Sequence, residues 1–206
     1  DALALETRLK INLLRTIFVY SRLNSYKQGN AETSLPILCG QTCLIFDYID
    51  RHLRSPNITP TQRFVFARDQ AYFKAVFFSG DRPGDIGQVK APEILRFRKD
   101  DDFPFNHVWG KTLGDGFNNV FGVKRNPQPK ICPVQGIAHY MAVAQQLRID
   151  LTRGYPFRST TPQGDILDAP FSSNAAEARL KGYLKEMGSD DGETLHGFFF
   201  FCLIGN

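Results

Sequence analysis

Apolar residues recur at three- and four-residue steps over residues 3–23. Leu5, Leu9, Leu13, Ile17 and Tyr20 share one side there, a spacing that predicts an amphipathic helix. The Gly-, Asn- and Ser-rich stretch from Gln28 to Ser34 ends it. A second helix follows Pro36 and runs towards Arg54. Prolines and polar turn formers then cluster at Ser55-Pro56-Asn57-Ile58-Thr59-Pro60, which marks a domain boundary between 1–57 and 58–206. Thr59 as N-cap, with Pro60 at the first helical position, opens a helix through Phe78 that buries Phe64, Ala67, Ala71, Ala75 and Phe78. Ser79-Gly80 closes it.

The period changes further on. Phe103 to Lys111 and Asn118 to Lys124 place apolar residues at nearly every second position, with Asp115-Gly116 as a turn signal between them. This predicts a hairpin with Lys111 at the end of its first arm. Pro133 opens a helix to about Leu147, and Asn174 with Glu177 forms a capping box for a helix to Met187. Thr194 caps a final helix that carries His196 in its first turn. The expected class is mixed and mainly α. A partial helical domain precedes an α+β domain with a small antiparallel hairpin.

Composition narrows the classes. Of 206 residues 42% are hydrophobic and 22% charged, which suits a packed core and excludes disordered and collagen-like chains. The longest apolar run, Phe198 to Ile204, is far below the roughly 18 residues a membrane helix needs, so no membrane partner is expected. No basic, then apolar, leader is visible. Four cysteines without regular spacing favour a reducing compartment, here the nucleus, or the cytoplasm if the chain is not imported. Cys39 and Cys43 with His52 have zinc-like spacing but no fourth ligand nearby, so no metal site is assigned. The net charge of +4 is concentrated in residues 58–130, which hold 12 Lys and Arg against 8 Asp and Glu. Such an excess suits a polyanion, although solvated surfaces look similar.

Three clusters could carry chemistry. In Ser79-Gly80-Asp81-Arg82-Pro83-Gly84-Asp85, an arginine after a helix end can offer a planar fork to phosphate while the acid fixes the turn. A surface turn with a local ion pair is the plainer alternative. In Trp109-Gly110-Lys111-Thr112-Leu113, a hairpin lysine can reach a groove or protonate a leaving group, or can simply be solvated. In Leu195-His196-Gly197-Phe198, a histidine at a helix start can donate to an anion, or can cap and pack.

Together these segments resemble the boxes of the tyrosine recombinase (phage integrase-like) family, particularly versions from crypton- and DIRS-type mobile elements. Tyr155-Pro156-Phe157-Arg158 is similar to a further segment between the boxes. The resemblance covers about residues 60–198 and implies a helical core-binding domain before a catalytic domain. It also implies double-stranded DNA as partner and breakage and rejoining by transesterification, with neither metal nor nucleotide cofactor. By that likeness Arg82 binds the scissile phosphate, Asp85 supports its turn, Lys111 protonates the leaving oxygen and His196 donates to a phosphate oxygen. Preorganised donors of this kind stabilise a transition state that gathers charge on oxygen.

Two departures shape the expected function. Phe199 stands where the family has a second arginine, and no tyrosine follows Tyr183 to serve as nucleophile. The expectation is therefore a truncated, catalytically inactive DNA-binding protein, held to phosphates by Arg82, Lys111, Lys124, Arg125 and Lys130. Family members assemble through exchanged C-terminal segments, so poor self-association is expected. The alternatives are a fragment of an active recombinase and a non-catalytic DNA-binding or adaptor module.

Overall fold

The structure, a computed structural model, describes residues 35–79, 83–95, 102–108 and 119–188. The helix expected over 3–23 and the one expected to carry His196 lie outside them, as does the Phe198–Phe201 run. The chain forms two compact units, 1–42 and 43–206. Of the first, only the opening turns of α1 (Leu35–Leu53) are described. The second contains α2 (Pro60–Ser79), α3 (Pro83–Gln88), α4 (Ala91–Leu95), β1 (Asp102–His107) and β2 (Asn119–Lys124). A 3-10 turn (Pro129–Ile131), α5 (Pro133–Gln146), β3 (Arg158–Thr160), β4 (Ile166–Pro170) and α6 (Ser173–Glu186) follow. The described residues are thus mainly helical, with two small antiparallel two-stranded sheets. The proline-rich connection at 55–60 lies inside the second unit and joins α1 to α2. Prolines that halt one helix and start another make a tight helix-to-helix turn as readily as a linker.

α2 starts as its sequence dictates. The Thr59 hydroxyl accepts from the Gln62 N–H at 3.2 Å, and the Gln62 side chain accepts from the Thr59 N–H at 3.0 Å, a reciprocal capping box. The helix then runs through the middle of the unit. Every residue from Ala67 to Val76 is buried, nearly three turns, so other elements cover all its faces. α5 comes closest at Gly136, where a Cβ would lie 2.9 Å from the Lys74 Cδ and 3.5 Å from the Ala71 Cα. One turn further along α5, Tyr140 packs on Phe64 and Phe157, and its hydroxyl donates to the Pro156 carbonyl at 2.6 Å.

β1 and β2 pair antiparallel from Asp102↔Lys124 to His107↔Asn119, as the alternation predicts. Phe103, Phe105 and Val123 enter the core, and Phe105 stacks on Phe121. The expected capping box of α6 is not what forms. Ser172 is the N-cap and accepts from the Ala175 N–H at 3.2 Å, while Glu177 pairs instead with Lys181 at 2.7 Å. The buried ring of Phe171 fixes where the chain turns, so the serine directly after it reaches the free N–H groups first.

Candidate nucleic-acid interface

Arg82 lies outside the described residues, but the segment that starts at the next residue is firmly held. Tyr72, buried in α2, donates its hydroxyl to the Pro83 carbonyl at 2.6 Å. Burial pushes its phenol pKa up, so it stays a neutral donor. Phe157 and Phe171 pack edge-on against the same ring. Further along α3, Gly87 lies under the backbone of Phe171, where a Cβ would sit 2.1 Å from the carbonyl oxygen. Ile86 and Val89 are buried, and the Ala91 N–H donates to the Gly154 carbonyl at 2.9 Å. Asp85 is half-buried in the first turn of α3.

The loop that supplies the Gly154 carbonyl is itself braced. Gly154 has φ +65°, and a Cβ there would meet the Asp168 carboxylate oxygens at 2.0 and 2.2 Å. Asp168 accepts from the Tyr155 N–H at 3.0 Å, and Arg158 donates to the carbonyls of Asp150, Arg153 and Tyr155. The Tyr155–Arg158 segment therefore works as a knot: Phe157 is its apolar plug and Arg158 its polar clasp.

Lys111 belongs to the connection between β1 and β2, also outside the described residues. Lys124 and Arg125, both exposed, sit at the opposite end of the hairpin. Five residue steps separate Asn119 from Lys124, about 17 Å at the usual strand rise. Lys130 differs again: its ammonium contacts the Asp47 carboxylate at 2.7 Å, and that hydrogen bond raises its pKa. A phosphate would have to compete for it. His196 lies beyond α6 and outside the described residues.

The charged cluster most firmly in place is one that the sequence reading did not single out. Arg68 and Asp69, 1% and 0% exposed, lie in the middle of α2. Arg68 donates twice to Asp69 Oδ1, at 2.9 and 2.6 Å, and once to the Arg158 carbonyl at 2.7 Å, with its guanidinium 3.9 Å from the Phe171 ring centroid. Asp69 Oδ2 accepts from Arg179 Nε at 2.7 Å and from the Tyr183 hydroxyl at 2.6 Å. Burial, then the Asp69 charge, raises the Tyr183 pKa well above its ordinary value. Tyr183 is therefore a neutral structural donor rather than a nucleophile. A sequence signal existed: Arg68 stands four residues after Phe64 and three before Ala71, inside the predicted buried stripe.

His52, considered with Cys39 and Cys43, stacks on Phe66 with centroids 4.8 Å apart and planes at 11°. Cys43 is half-buried, and the Cys39 side chain is outside the described set. No group of three or more potential metal ligands occurs among the described residues. None of the described helices is long and apolar enough to cross a membrane. Comparison with protein-family models, curated proteins and solved structures finds no match.

Proposed function

We propose that this chain is a duplex-DNA-binding domain of the tyrosine recombinase type, which contacts phosphates through Arg82, Lys111 and His196. The reading rests on the resemblance of its motifs. One structural observation supports it above the others: the braced segment 83–91, directly after Arg82, is followed in the chain by an antiparallel hairpin whose connection holds Lys111. That order matches the resemblance, in which a turn arginine precedes a hairpin lysine.

Strand cleavage is not part of the proposal. Phe199 offers no donor where the family has an arginine, and Tyr183 is buried against Asp69. Losing one oriented donor costs about 3–4 kcal/mol of transition-state stabilisation in comparable sites.

The test is fluorescence anisotropy with a labelled duplex over a range of salt. Affinity should fall steeply and linearly on a log–log plot, nearly independent of sequence. Arg82→Ala and Lys111→Ala should each weaken binding and lower the slope by about one. Failure of the folded protein to bind any duplex at low salt would reject this reading and favour a non-DNA adaptor.

A further inference from the structure

A groove of about 440 Å³ is lined by the end of α1 at His52, the connection to α2, the first half of α2 and one side of α6. Ile58, Val65 and Phe66 give it an apolar wall, and Arg179 gives it a cation. Arg179 is 38% exposed and held by two bonds, Nε–H to Asp69 and Nη2–H to the Tyr183 hydroxyl. A guanidinium has five N–H donors, so two are used and three remain: both on Nη1 and one on Nη2. The remaining edge is a fork that matches a carboxylate.

Charge selects the ligand further. The buried cluster has two guanidiniums, Arg68 and Arg179, against the single carboxylate of Asp69, an excess of one positive charge. Glu186 also lines the groove, but it stands seven residues beyond Arg179 on α6, about 10 Å along the axis. Its carboxylate already accepts from the Tyr48 hydroxyl. One added negative charge balances the cluster, whereas a doubly charged phosphate would overshoot beside Asp69.

We infer that this groove binds a monocarboxylate with a short apolar stem, seated on the free fork of Arg179 with its stem against Val65 and Phe66. The carboxylate comes either from a free organic acid or from an acidic side chain of another protein. None of the groove's described lining residues is among the proposed DNA contacts.

The experiment is a titration of the ¹⁵N-labelled full chain, following the Arg179 Nε–H signal. The probes are 3-phenylpropionate, the acetylated and amidated tripeptide Leu-Glu-Leu, and inorganic phosphate. Both carboxylates should shift the signal saturably, with a dissociation constant of about 1–10 mM, as befits one forked contact and a small apolar area. Tighter binding of the peptide identifies a protein side chain as the source, and tighter binding of the free acid identifies a small molecule. Gly182→Met should abolish the shift and leave the fold intact. A Cβ at Gly182 meets nothing within 4 Å, so the side chain can enter the groove without displacing backbone. Arg179→Lys, which keeps the charge and loses the fork, should weaken binding at least tenfold, read from the amide shifts of groove residues. No saturable shift with either carboxylate, unchanged binding by Gly182→Met, or phosphate binding more tightly than both acids would overturn the inference.

Discussion

Arg68 and Lys74 of α2 and Lys124 and Arg125 at the end of β2 belong to one basic stretch of sequence, yet their surroundings are opposite. The α2 pair is 1% and 3% exposed, whereas the β2 pair faces solvent. Arg68 is tied to Asp69, and Lys74 lies over the Phe46 ring with its ammonium 5.1 Å from the centroid. Counting charges along residues 58–130 therefore overstates the surface that a polyanion can reach. Two of its 12 basic residues hold the core together, and Lys130 is engaged by Asp47.

Mutations should separate the two regions by the quantity they move. Asp69→Ala leaves the Arg68 guanidinium buried without its carboxylate, which should cost about 3–5 kcal/mol of stability by urea denaturation. Replacing Lys124 and Arg125 together by alanine should change stability by less than about 0.5 kcal/mol each. It should nevertheless lower the salt slope of DNA binding by about two if both meet phosphates. A large stability loss from the surface pair, or none from Asp69→Ala, would erase the distinction.

Gly154→Ala is next in size. It forces an alanine to φ +65° and its Cβ into the Asp168 carboxylate, so a loss of about 2 kcal/mol is expected, together with weaker DNA binding if the 83–91 segment loosens. Lys74→Met should act in the other direction. Burial lowers the Lys74 pKa in the fold, partly opposed by Asp50. Below the lowered folded pKa the amine is charged in both folded and unfolded chains, and the folded state bears the full desolvation cost. That cost fades as pH rises through the lowered folded pKa towards the unfolded value of 10.5, so stability should increase over that alkaline window. Methionine removes the cost at every pH. The variant should be more stable by about 1 kcal/mol at pH 7, with the advantage shrinking towards pH 10.5. The smallest effect belongs to Arg148, at φ 58° just after α5. Arg148→Gly should raise stability by about 0.5 kcal/mol in thermal or urea melts, because glycine adopts that conformation without strain.

Much of this fold is legible along the chain where local chemistry decides it. The Thr59-Pro60 start of α2, the Pro133 start of α5 and the alternation in β1 and β2 depend on neighbours within a few residues, and each forms as expected. The α6 cap was misplaced by two residues because Phe171, whose burial sets the turn, is fixed by Tyr72 some 100 positions away. The place of Arg68 inside the buried stripe of α2 is legible in the sequence, but its cluster partners are not, since 110 residues separate Asp69 from Arg179. The proposed contacts Arg82, Lys111 and His196 lie outside the described residues.

The proposed convergence of those three side chains can be measured with spin labels introduced in pairs at the neighbouring positions 81, 110 and 195, which leave the contacts themselves in place, using double electron–electron resonance on the folded chain. The proposal predicts short, narrow distance distributions for all three pairs, narrowing further when duplex DNA is added. Long distances for any pair, unchanged by DNA, would contradict a common phosphate site.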